Sequence, residues 1–200
     1  FNAVLGPDAE VLTSEGSFIV YYLLAGTTGM PIVCAPLKDH GFDLDALAER
    51  IHSRTRLILI ANPNNPTGTI IGRKQLERFI EKLPGNVLLV MDEAYFEYVD
   101  APDYPDSLDY FRSGKSILTL RTFSKVYGLA GVRLGYGIAN REVIQTLYKV
   151  RMTYSVSGLA MAAAQESRDS LTQQLEIARK IEAMRAKLYR QQYGSQLNYM

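Results

Sequence analysis

The chain has 200 residues, of which 47% are hydrophobic and 22% charged, the balance of an ordinary globular protein with room for a substantial core. A formal net charge of +1 gives no general attraction to nucleic acid or to an anionic membrane, and no apolar run is as long as a membrane span. A single cysteine, Cys34, excludes an internal disulfide framework and a cysteine-based zinc cluster. With no signal peptide visible, the cytoplasm is the default location.

In chain order, Val11-Leu-Thr13 reads as a strand, and Ile19 to Leu24, after a Gly-Ser turn, as a helix. Pro31–Ala35 is a short strand, with Cys34 in it as a small core residue. Asp43 caps a helix that carries Leu44, Leu47, Ala48 and Ile51 on one face. Leu57–Ala61 is a continuous apolar run, as in a strand covered on both faces. Leu76, Phe79, Ile80 and Leu83 mark a helix stopped by Pro84-Gly85. Val87–Met91, Ser116–Leu120 and Leu134–Ala139 are further strands, and Asp100–Asp109, with two prolines, is a surface loop. Val143, Leu147 and Val150 open another helix, and a long amphipathic helix follows from Leu171 to Leu188. His40 and His52 are single, outside any metal-ligand spacing, and read as surface or helix residues. The alternation of strands and helices predicts an α/β fold with a mostly parallel sheet.

Three polar motifs follow strands, where open α/β sheets hold their ligands. Asn62-Pro-Asn-Asn-Pro-Thr-Gly68 offers the Asn65 amide to a ligand oxygen; by itself it also reads as a proline-rich turn that binds nothing. Asp92-Glu-Ala-Tyr95 places a carboxylate that needs a cationic partner when buried, with the Tyr95 phenol three residues on; Asp92 alone also reads as a helix cap. Thr122-Phe-Ser-Lys-Val-Tyr-Gly-Leu-Ala-Gly-Val-Arg-Leu-Gly-Tyr136 sets Lys125 after Ser124 and before Arg133. A lysine amine forms a Schiff base with an aldehyde, and serine with arginine grips a phosphate. Together the motifs supply a ring-nitrogen partner, ring-oxygen donors, a Schiff-base lysine and phosphate ligands, which are the needs of pyridoxal 5′-phosphate.

On these residues the chain resembles the fold-type I, class I/II aminotransferases, and more narrowly the histidinol-phosphate aminotransferases. The narrower resemblance is carried by Pro63–Thr69, Asp92–Tyr98 and Arg121–Tyr136, and the similarity runs from about Val11 to Ala164. It implies a three-layer α/β/α large domain over residues 1–145, and linker helices with the start of a small domain over 146–200. It also implies that Lys125 holds the cofactor as a Schiff base and shuttles the substrate proton. Asp92 would keep the pyridine nitrogen protonated, Asn65 and Tyr95 bond the phenolic oxygen, Ser124 and Arg133 bind the phosphate, and Phe18 stacks on the ring. The implied reaction moves an amino group between L-histidinol phosphate and 2-oxoglutarate, in a cytoplasmic homodimer.

The departures are specific. The family has a proline-threonine-aromatic pattern where this chain has Glu15-Gly-Ser-Phe18, and proline, an aromatic and asparagine where it has Met152–Ser157. The resemblance leads to the expectation that the family's N-terminal arm with its Gly-Ser phosphate turn, and the carboxylate-binding arginine of its small domain, fall outside these residues. The chain begins at Phe1 and is expected to be an internal piece of a longer protein, with low or no turnover alone. Other expectations compatible with the same residues are an aromatic or aspartate-type aminotransferase, a threonine-phosphate decarboxylase, or a non-catalytic module.

Overall fold

The computed structural model describes residues 1–3, 6, 8–111 and 113–166. The chain divides into two compact units, Phe1–Ser155 and Val156–Met200. In the second unit residues 158–166 are helical, and the expected helix from Leu171 to Leu188 lies outside the described residues.

The first unit is built on eight strands and four helices among the described residues: β1 (Glu10–Ser14), α1 (Ile19–Thr28), β2 (Ile32–Ala35), β3 (Leu37–Lys38), β4 (Gly41–Phe42), α2 (Leu44–Glu49), β5 (Thr55–Ala61), α3 (Arg73–Lys82), β6 (Leu88–Asp92), β7 (Ser116–Thr122), β8 (Gly135–Ala139) and α4 (Arg141–Val150). Six strands form one sheet in the order β2-β1-β5-β6-β7-β8. All its pairings are parallel except β7 with β8. The apolar runs in β5 and β6 are therefore covered on both faces, as strands in a parallel sheet must be.

Side chains alternate between the two faces and build two cores. On one, Leu12, Ile58, Ile60, Leu89 and Met91 meet Leu44 and Leu47 of α2 and Leu76, Phe79 and Ile80 of α3. On the other, Val11, Leu57, Leu59 and Val90 meet Tyr21 of α1 and Val143, Ile144 and Leu147 of α4. The result is the expected α/β architecture with helices on both faces of a mostly parallel sheet. The expected cap forms as well: the Asp43 carboxylate accepts from Asp45 N and Ala46 N, both at 3.1 Å. Asn140 caps α4 by accepting from Val143 N at 2.9 Å.

Three expectations need correction. Asp100–Asp109 is not wholly irregular, because Asp106 accepts from Leu108 N at 2.9 Å and starts a 3-10 turn over Ser107–Tyr110. His52 is more than a surface residue: with Arg54 it pairs with Glu10, only 5% exposed at the start of β1, at 2.7 Å from Nε2. A carboxylate buried at a strand end needs such cationic or donor partners. Cys34 is half-buried in edge strand β2 rather than deep in the core. His40 lies exposed in the β3–β4 turn, as expected of a surface residue.

Candidate active site

The carboxyl ends of β5, β6 and β7 converge on one small pocket. It is lined by Phe18, Ala61, Pro63, Asn65, Asp92, Ala94, Tyr95 and Lys125, so five of the seven site residues expected from sequence share one cavity. Ser124 and Arg133 do not line it.

Asp92 is the last residue of β6. Its Oδ2 accepts from the Tyr21 hydroxyl at 2.8 Å, and its Oδ1 from Ala94 N at 3.2 Å. Burial pushes its carboxyl above the usual carboxylate range; the Tyr21 bond, the Ala94 N–H and the Lys125 charge pull the other way and only partly offset it. A carboxylate in this state gains from a further cation placed against it.

The Asn65 amide donates to the Tyr95 hydroxyl at 3.4 Å, bringing two polar groups from different strand ends together. Asn65 is held in a loop shaped by cis peptide bonds at Asn62–Pro63 and Asn65–Pro66. Two neighbours anchor that loop. Asn62, fully buried, accepts from Ile71 N at 2.8 Å, and Asn64 donates to Gly16 O at 3.2 Å, tying the loop to the turn after β1.

Lys125 sits in the connection between β7 and β8, with Nζ 4.8 Å from the Tyr95 ring centroid. The turn that presents it is closed by Ser124 N donating to Thr122 Oγ1 at 3.1 Å and by Gly128 N donating to Lys125 O at 2.9 Å. Gly128 has φ 68°, a conformation that glycine adopts without steric cost. Arg133 is exposed and donates from Nη1 to Ala130 O at 2.7 Å. Its φ of 59° is left-handed, which costs an L-residue about 1 kcal/mol.

Two features escaped the sequence reading. Tyr21 touches Asp92, and its only sequence signal is its place one helical turn after Phe18. Glu93, 1% exposed, pairs with Arg121 of β7; the signal is a second acidic residue directly after Asp92.

The sequence profile of the aminotransferase class I and II family matches residues 1–193. The sequence is 44% identical over 82% of this chain to histidinol-phosphate aminotransferase 2 of Pseudomonas fluorescens, and 44% identical over 80% of it to an aromatic amino acid aminotransferase of Mycobacterium sp.. The chain spans only 44% and 45% of the lengths of those relatives. Its fold matches the crystal structure of histidinol-phosphate aminotransferase from Sinorhizobium meliloti in complex with pyridoxal-5′-phosphate with a TM-score of 0.75 and 31% identity, covering 82% of this chain and 46% of that one.

Pyridoxal 5′-phosphate is the cofactor of this family, and the residues here suit its ring: a buried acid short of a cation, a paired amide and phenol, an aromatic wall and a primary amine around one cavity. With a family profile matched over residues 1–193 and a fold shared with a solved member, the chain belongs to the class I and II aminotransferases.

Proposed function

We propose that this chain is the cofactor-binding part of a pyridoxal-phosphate aminotransferase that moves an amino group between L-histidinol phosphate and 2-oxoglutarate. The observation that carries the reading is the gathering of Lys125, Asp92, Asn65, Tyr95 and Phe18 around one cavity at the strand ends. When bound, pyridoxal phosphate supplies a carbonyl that captures amines and a ring that accepts electrons. Asp92 holds a proton on the ring nitrogen by its negative charge. Asn65 Nδ2 and the Tyr95 hydroxyl bind the phenolic oxygen, and Phe18 covers a ring face. The Lys125 amine is the attachment point and then the base and acid that takes and returns the proton at the substrate Cα. Ser124 and the remaining N–H groups of Arg133 hold the phosphate.

Residues 1–145 are read as the large domain and 146–200 as the passage to a small one. The same reading takes the working form as a cytoplasmic homodimer, and because the chain spans under half the length of its relatives, the 200 residues alone are read as turning over slowly or not at all. Among the described residues no helix is long and apolar enough to cross a membrane.

A second reading has direct support, because relatives named as aromatic amino acid aminotransferases match at the same 44% identity. Two measurements test both readings. Incubation with pyridoxal phosphate, borohydride reduction and peptide mapping should place the label on Lys125; label scattered over surface lysines sinks the site assignment. Amino transfer by a full-length polypeptide carrying this chain should favour histidinol phosphate over phenylalanine and tyrosine. The reverse preference selects the aromatic reading, and release of carbon dioxide selects a decarboxylase.

A further inference from the structure

Tyr21 lies in the first turn of α1, and its side chain reaches across 71 positions of sequence to the end of β6. It is 6% exposed, yet its hydroxyl is not buried unpaired: it donates to Asp92 Oδ2 at 2.8 Å. Its ring meets Phe18 edge to face, with centroids 5.7 Å apart and planes at 87°. Phenylalanine would fill the same space, so packing alone does not call for the hydroxyl. With Ala94 N–H on Oδ1, the Tyr21 hydroxyl on Oδ2 fixes the carboxylate at both oxygens. Lys125, which lines the same pocket, bears on it by its charge. Burial and the Asp92 charge keep the Tyr21 phenol protonated far above neutral pH, so it stays a donor.

We propose that Tyr21 is a positioning residue of this site, holding the Asp92 carboxylate with its hydroxyl and the Phe18 ring with its edge, so that one side chain of α1 aligns the acid with the aromatic wall. The inference rests on the reading of Asp92 as partner of the cofactor's ring nitrogen. Its consequence is that the acid is oriented before any cofactor arrives, and part of the ordering cost of binding is already met by the fold.

The test is Tyr21→Phe in the whole chain, which keeps the ring and removes one donor. Carbon-13 carboxyl NMR without cofactor follows Asp92, identified by the signal lost in Asp92→Asn. The Asp92 midpoint should rise by about one pH unit in Tyr21→Phe, with the circular dichroism spectrum unchanged. With pyridoxal phosphate, Tyr21→Phe should weaken binding about three- to tenfold, and should weaken it no further when Asp92→Asn is already present. An unmoved midpoint, or the same loss of affinity in the Asp92→Asn background, overturns the proposal. If Tyr21→Phe fails to fold, Tyr21→His, which retains a donor, is read in its place: a wild-type midpoint supports the proposal and a displaced one overturns it. The titration is read without cofactor, so failure of pyridoxal phosphate to label Lys125 sinks the functional reading while the Tyr21–Asp92 link is decided separately.

Discussion

Arg121 donates from both Nε and Nη2 to one oxygen of Glu93, at 2.9 and 2.8 Å, and so clamps the end of β7 to the end of β6. Nη2 also reaches Asp106 at 2.7 Å, the guanidinium lies 3.7 Å above the Phe96 ring, and the second Glu93 oxygen accepts from Ser107 N at 3.0 Å. Glu93 directly follows Asp92, and Arg121 lies four residues before Lys125. The ion pair therefore fixes the two strand ends that present the acid and the amine.

Removing one partner leaves the other charge buried and alone, which is more damaging than never having had the pair. Arg121→Leu should destabilise the chain by about 3–5 kcal/mol, read as a lower urea midpoint. Arg121→Lys keeps the charge but loses the two-pronged geometry and the ring stack, and should fall between. A midpoint equal to wild type in Arg121→Leu would show that the clamp contributes nothing to stability.

Asp92 should trade stability for cofactor binding. Its carboxyl is more basic folded than unfolded, because burial outweighs its hydrogen bonds. Its contribution to stability is therefore complete below the unfolded carboxylate's range and is lost as pH rises through the raised folded value. Asp92→Asn should raise the Tm of the cofactor-free chain at neutral pH by about 2–4 °C, the gain shrinking as the solution is acidified. The same variant should bind pyridoxal phosphate more weakly and, in a full-length polypeptide carrying this chain, lose orders of magnitude in rate, because on the proposed function the ring nitrogen loses its charge partner. A lower neutral-pH Tm, or an unchanged rate, contradicts this account.

Lys125→Ala should lower turnover of a full-length polypeptide carrying this chain on the order of a thousandfold or more, since the proposed function sends both attachment and proton transfer through one amine. Weak cofactor binding should persist through Asp92, Asn65 and Tyr95, measured by quenching of tyrosine fluorescence. Retained borohydride labelling at a single other lysine would move the assignment away from Lys125.

Gly135→Ala should disturb the site through the sheet. A Cβ at Gly135 would lie 2.9 Å from Arg121 O, a backbone atom in the neighbouring strand that cannot move aside cheaply. The expected cost is about 1–3 kcal/mol, with fraying at the Thr122–Gly135 end of the ladder and weaker pyridoxal phosphate binding. Unchanged stability and binding would show that this end of the ladder does not support the Lys125 connection.

The sheet strands and main helices were legible because their signals are local. The apolar runs of β5, β6 and β7 and the Asp43 cap each depend on residues a few positions apart. The placement of Asn65, Asp92, Tyr95 and Lys125 around one cavity follows from strand ends, which a topology rule locates, while Phe18 was expected only from the family resemblance. What was hidden depends on distant partners. Nothing near Tyr21 announces Asp92, nothing near His52 announces Glu10, and Arg121 and Glu93 are 28 positions apart. The β3–β4 hairpin was missed because Leu37–Lys38 and Gly41–Phe42 are too short to show an alternating pattern.

The antiparallel return of β8 has an effect on how this site can vary. A parallel β8 would oblige the chain to run back along the full length of the strands before re-entering the sheet, and the segment after Lys125 would leave for the opposite end of the strands. Running back beside β7 instead, β8 makes residues 123–134 a closed excursion that departs and lands at the same end of the sheet, with Thr122 and Gly135 as its two feet. Ser124, Lys125 and Arg133 all ride on that excursion. Its contents can be rewritten while the feet stay planted, so this stretch is where a descendant of the fold could acquire a new anion grip without renegotiating its core.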